Sequence, residues 1–214
     1  MDWDAAIGCV ALTGLGVVAA LAAAHGGKRG AYAAAKAVAS AGFVALAVIV
    51  GAAGATWSAI ALGGLVVAGA GDIVLAGHSR KSFIIGLSCF AVAYAAYAVA
   101  FLVRGTDGST LAVTAVLAAA VGAGAWRYLR AHLPGKLRVP VRVYLLVVSS
   151  MLATGVAAGI THRAVLLALG AALITGSDLS VARERFVTPG FANKLVGLPA
   201  YYVGQTLIAL SLVG

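Results

Sequence analysis

The chain alternates between long apolar stretches and short polar or basic breaks. Eight continuous apolar runs stand out, at residues 5–24, 32–53, 58–76, 83–103, 109–129, 141–159, 164–181 and 195–213. A helix that crosses a bilayer needs about 20 mostly apolar residues, and each run has about that length. The runs are continuous rather than alternating, and rich in Ala and Leu. They therefore predict helices and not barrel strands. Ala52-Ala53-Gly54-Ala55 and Gly105-Thr106-Asp107-Gly108 read as short turns. No linker is long enough to separate two soluble domains. The pattern predicts an all-α polytopic membrane protein, with residues 1–214 forming a single eight-helix transmembrane domain.

Composition supports that reading. Of the 214 residues, 63% are hydrophobic and only 10% charged, and the mean hydropathy is +1.06. An ordinary soluble domain is about 45–50% apolar and about 25% charged. So little charge cannot coat a core in water, which excludes a soluble enzyme and a disordered chain. The 28 glycines fit membrane helices, because small residues let such helices approach closely. The start, Met1-Asp2-Trp3-Asp4, is acidic, unlike a secretory signal, so the first run is expected to be a retained helix. Cys9 and Cys89 lie within apolar runs and read as small packing side chains.

The net charge of +9 resembles a nucleic-acid signal, but its distribution points elsewhere. Lys28, Arg29 and Lys36 surround the first break, and Arg80 and Lys81 the third. Arg127, Arg130, Lys136, Arg138 and Arg142 surround the fifth, and Arg183, Arg185 and Lys194 the seventh. These are thirteen of the fifteen basic residues, all at odd-numbered breaks. The positive-inside rule then places those breaks in the cytoplasm and both termini outside it. No nucleic-acid partner is expected. The Ala- and Gly-rich usage suggests a bacterial plasma membrane.

The two halves of the chain share features at a fixed offset. Asp72 and Asp178 lie 106 positions apart, and the same offset carries Lys36 onto Arg142. Tyr94 and Tyr97 in the fourth run correspond to Tyr201 and Tyr202 in the eighth. With four helices per half, this pattern suggests a parallel 4+4 repeat.

Only six residues are acidic. Asp2, Asp4 and Asp107 fall on the expected outer side, and Glu184 in a basic break. Asp72 and Asp178 instead end apolar runs, where a carboxylate costs about 2.5–3.5 kcal/mol at the bilayer centre. They are expected to face the bundle interior at similar depth, in the cytoplasmic half. Lys36, Tyr144 and Asn193 collect at the same level, with Tyr201 and Gln205 sharing a face further along the last run. Tyr94, Tyr97 and Tyr201 lie too deep to be interfacial anchors. His25, His78, His132 and His162 sit at predicted breaks without metal-binding spacing, so no metal or other cofactor is expected. The sequence around Ser88 lacks the glycine of a nucleophile elbow, and no phosphate loop occurs.

At these positions the sequence resembles the YhhN/TMEM86 family of membrane proteins, the lysoplasmalogenases. The similar stretches are Gly71-Asp72-Ile73-Val74-Leu75, Phe83 to Phe90, Tyr144 to Met151, Gly176-Ser177-Asp178 and Tyr201 to Ile208. One departure is Tyr94, in Ala93-Tyr94-Ala95-Ala96-Tyr97, where the family typically has a histidine. A chemistry that required that histidine would not run here. The resemblance implies hydrolysis of the vinyl ether of a lysoplasmalogen, giving a fatty aldehyde and a glycerophospho-ethanolamine or -choline.

Such a reaction calls for one protonated acid and one carboxylate, as in glycosidases. Asp72 and Asp178 are the expected catalytic pair. Tyr144, Tyr201 and Gln205 are expected to orient water or the ether oxygen, and Lys36 and Arg142 to hold the phosphate. Tyr94, Tyr97 and Asn193 complete the expected substrate site. The partners implied are a lysophospholipid and the bilayer. Paired intramembrane aspartates also suit a small proton-coupled transporter or lipid flippase. A metal hydrolase using His78 beside Asp72 and a non-catalytic scaffold are further alternatives. Oligomeric state is not legible.

Overall fold

A computed structural model describes residues 2–77 and 79–213. Its described residues form eight α-helices and no strand: α1 (Trp3–His25), α2 (Arg29–Ile49), α3 (Thr56–Leu75), α4 (Arg80–Arg104), α5 (Gly108–Leu129), α6 (Arg138–Thr161), α7 (Val165–Phe186) and α8 (Phe191–Leu210). Short 3-10 turns at Ala52–Gly54 and Gly135–Leu137 precede α3 and α6.

Helix ends follow local chemistry. The first turn of a helix leaves backbone N–H groups unpaired, which a side-chain oxygen can satisfy. Asp2 caps α1 through the Ala5 N–H, Ser79 caps α4 through the Ser82 N–H, and Asp107 caps α5 through the Thr110 N–H. The Ser109 hydroxyl and the Thr110 donors pull the Asp107 carboxyl down to about 2. The second helix stops at Ile49 rather than residue 53, because Gly51 adopts a left-handed conformation, φ 84°, that turns the chain. The seventh continues to Phe186 rather than ending at 181, and the eighth begins at Phe191 rather than 195. A polar knot makes that difference. The Asn193 amide donates to Glu184 and to the Thr188 carbonyl, and its oxygen accepts from Arg183. Lys194 pairs with Glu184, which also accepts the Gly190 N–H.

Consecutive helices pack as hairpins, α1 on α2, α3 on α4, α5 on α6 and α7 on α8. Contacts of α2 with α3 and α8, α4 with α6, and α6 with α7 close a ring of α2, α3, α4, α6, α7 and α8. Helix α1 lies outside it against α2 and α8, and α5 outside it mainly against α6. The ring interior holds a run of large aromatic side chains, among them Phe43, Tyr94, Tyr97, Phe101 and Tyr202, all fully buried. The outer faces are greasy: Leu15 is 70% exposed and Val116 71%. Such surfaces suit lipid and not water. Seven helices, α1 to α7, are long and apolar enough to cross a membrane, so the chain is an integral membrane protein. Helix α8 is not among them, because Asn193, Lys194, Tyr201, Tyr202 and Gln205 dilute its apolar character. All but Lys194 of these are buried against the other helices.

Helices α7 and α8 approach so closely that a methyl group has no room. A Cβ on Gly170 would stand 2.9 Å from the Gly204 carbonyl, and one on Gly204 would stand 3.0 Å from the Gly170 carbonyl. Because backbone must move to admit it, Gly204→Ala is expected to destabilise the protein by about 1–3 kcal/mol. Thermal unfolding in detergent, compared with the exposed and unobstructed Gly176→Ala, checks this. Equal melting temperatures would show that the contact is slack.

Candidate active site

The even-numbered helices start, and the odd-numbered ones end, at one end of the bundle, where the thirteen basic residues also gather. At that end a cavity of about 360 Å³ opens between α2, α3, α4, α5, α6, α7 and α8. Both Asp72 and Asp178 line it, together with Lys36, Tyr94, Tyr144, Asn193 and Tyr201. Its wall against α5 and α6 is mainly apolar, with Val121, Ala125, Leu129, Val141, Leu145 and Val148 beside Ser149 and Tyr144.

The two aspartates have different surroundings. Asp72 is in the last turn of α3 and 1% exposed. Its Oδ1 lies 3.0 Å from the Lys36 ammonium, and its Oδ2 accepts the Ser40 hydroxyl at 2.8 Å. Lys36 and Ser40 are one turn apart on α2, so one helix face supplies both partners. Ser40 also meets the Tyr202 hydroxyl at 3.4 Å, and Tyr32 places its ring 5.8 Å from the Lys36 ammonium. This is a buried ion pair, with one partner within the protein on each carboxylate oxygen. The charge of Lys36, expected to hold a phosphate, is matched within the protein by Asp72.

Asp178 lies two turns inside the end of α7, because that helix runs past it to Phe186. It is half-buried and faces hydroxyls only. Tyr144 donates to Oδ2 at 3.0 Å, and Tyr94 donates more weakly to Oδ1 at 3.4 Å. No cation pairs with it among the described residues. Tyr94, at the position where the resemblance expects histidine, is thus a direct partner of one aspartate.

Helix α8 brings a third group. The Tyr201 hydroxyl is buried and lacks a hydrogen-bond partner within the protein, although Tyr201 lines the cavity. A buried polar group is normally paired, so this hydroxyl is available to a polar ligand. Gln205, one turn further along, accepts the Tyr97 hydroxyl at 2.7 Å, and its amide N–H group is unpartnered. Neither Tyr97 nor Gln205 lines the cavity; they form a layer beneath it. Rings from three helices hold this floor in place. Phe90 packs edge-on to Tyr201, and Tyr94 packs against Phe90, Tyr97 and Tyr144.

Arg142, a third expected site residue, is also off the cavity, and Asn193 is on it in a different role. Arg142 is exposed and stacks its guanidinium on Trp126 at 4.5 Å, outside the cavity, while Tyr144, two residues on, turns inward to Asp178. Asn193 lines the cavity, but its amide is fully used in closing the α7–α8 turn. Ser40 and Tyr32 are the contributors that sequence reasoning missed; the i, i+4 spacing of Lys36 and Ser40 was the signal for the first. His78 lies outside the described residues. Among the described residues, no three His, Cys, Asp or Glu side chains gather as a metal site would require.

The YhhN family model matches residues 31–212. The chain is 31% identical to lysoplasmalogenase TMEM86A of Bos taurus over 156 residues, covering 70% of this chain and 63% of that protein. It is 32% identical to lysoplasmalogenase TMEM86B of Sus scrofa over 160 residues, covering 74% and 66%. The chain thus spans just under two thirds of the length of these curated relatives. No solved structure matches it significantly.

Proposed function

The chain belongs to the YhhN family, and from that premise we propose that it is a membrane-embedded lysoplasmalogenase, hydrolysing a vinyl ether with Asp72 and Asp178. The observation that carries this reading is the unequal pair of carboxyls on one cavity. A carboxyl with a lysine 3.0 Å away is a carboxylate. One with only hydroxyl partners can arrive at the reaction carrying a proton. Asp178 is accordingly the acid, and Asp72 the anion.

The Asp178 proton adds to the β-carbon of the vinyl ether, and the ether oxygen shares the resulting positive charge as an oxocarbenium ion. The Asp72 carboxylate stabilises that cation and orients a water, with the Tyr201 hydroxyl as a second contact. Water adds to the charged carbon and gives a proton to the Asp178 carboxylate, which restores the acid. The hemiacetal then collapses to a fatty aldehyde and a free glycerol hydroxyl. Tyr144 and Tyr94 hold the Asp178 carboxyl during the transfer. The apolar α5–α6 wall takes the alkenyl chain.

The basic end of the bundle is cytoplasmic under the positive-inside rule, so both termini are outside and substrate is drawn from the inner leaflet of a plasma membrane. Packing of α8 along α7 supports an eighth span. The 4+4 repeat is supported by corresponding contacts: α2–α3 matches α6–α7, and α4–α6 matches α8–α2. It is weakened where Lys36 is buried and Arg142 is not.

The test is incubation of purified protein with lysoplasmalogen and with its vinyl-saturated analogue. Aldehyde is expected from the first alone. Aldehyde from neither, or from both, would contradict the reading. Movement of intact lipid across vesicles without aldehyde would favour the transporter.

A further inference from the structure

Charges at the cavity can be paired off. Lys36 is held by Asp72, and Lys194 by Glu184. Of the cavity's basic residues, Arg185 alone has neither an acidic nor a hydrogen-bonding partner among the described residues. Nearby Arg183 donates to Asn193. Arg185 is held in place all the same. Its guanidinium carbon stands 4.6 Å from the centre of the Phe83 ring, and Phe83 packs edge-on against Phe186 at 5.8 Å. A guanidinium lying on a ring keeps its N–H donors pointing outward in its own plane, the geometry that matches a phosphate bidentately.

We propose that Arg185 is the phosphate-binding residue of this cavity and selects lipids with a phosphate headgroup over neutral glycerol ethers. The naming of the ligand rests on the proposed substrate, a lysophospholipid. Its place in the fold fits that ligand. Arg185 is in the last turn of α7, seven residues beyond Asp178, toward the basic end of the bundle. A phosphate at Arg185 would leave the sn-1 ether of the same lipid pointing inward, toward the aspartates. The role expected of Lys36 and Arg142 therefore passes to a residue that sequence reading had counted only as a topology signal.

Binding is measured in lipid nanodiscs with two non-hydrolysable probes, 1-O-alkyl-glycerophosphoethanolamine and 1-O-alkylglycerol. The wild type is expected to prefer the first. In Arg185→Gln that preference should fall about tenfold, an Arg–phosphate contact discounted for solvent exposure. Arg185→Lys should retain part of it, having charge without the planar fork. Arg142→Gln, which removes the same charge outside the cavity, should leave it unchanged. An unaltered preference in Arg185→Gln, or an equal loss in Arg142→Gln, would overturn the assignment. A normal preference in wild-type protein that releases no aldehyde from lysoplasmalogen would sink the hydrolase reading and leave the phosphate site standing.

Discussion

Replacing Asp178 with asparagine is expected to lower turnover of a vinyl-ether lysophospholipid by about 10²–10⁴-fold, the usual contribution of a general acid. The fold should survive. Asparagine has nearly the same shape, and its carbonyl oxygen can still accept the Tyr144 hydroxyl that donates at 3.0 Å to Asp178 Oδ2. What it lacks is a proton acidic enough to give to carbon. Asp178 is also half-buried on a cavity wall without an ion-pair partner, so no stranded charge confuses the result. The check is aldehyde release by purified variant and wild type, with melting temperatures measured in the same detergent. Near-normal turnover in a folded Asp178→Asn protein would remove Asp178 from the chemistry.

The second large effect is on stability. Lys36→Met should destabilise the protein by about 3–5 kcal/mol, because it strands the buried Asp72 carboxylate. The Lys36 and Asp72 side chains are 5% and 2% exposed, and the pair is closed at 3.0 Å. So little exposure makes water a poor replacement for the missing ammonium. The double variant Lys36→Met/Asp72→Asn should recover most of the loss, since it buries no net charge. Activity should not return, because the carboxylate proposed to stabilise the oxocarbenium is gone. Thermal unfolding of the two single variants and the double variant forms a cycle that isolates the pair. Additive losses would mean that Lys36 and Asp72 are not coupled.

These expectations also mark what the sequence disclosed. Helix number was legible because a bilayer demands continuous apolar runs of one length. Helix ends were less so, because Gly51 and the Asn193–Glu184 knot act through conformations and contacts that hydropathy does not register. Asp72 and Asp178 stood out through the cost of placing a carboxylate among apolar residues. Their partners did not. Lys36 was visible as a charge and Asp72 as another, yet nothing in a one-dimensional pattern pairs residues on different helices. The offset that linked Lys36 to Arg142 led away from the site, since a shift of two residues on α6 separates an outward Arg142 from an inward Tyr144. Tyr97 and Gln205 were both named for depth, but their mutual hydrogen bond came only with packing of α4 on α8. Arg185 was hidden among the topology charges until the others had found partners.

The central claim is that an acid on this cavity protonates the β-carbon of a vinyl ether. Hydrolysis of lysoplasmalogen in D₂O, with the aldehyde reduced at once and examined by mass spectrometry, tests it most directly. One deuterium is expected on the carbon next to the former carbonyl. Aldehyde released with no deuterium at that carbon would contradict it.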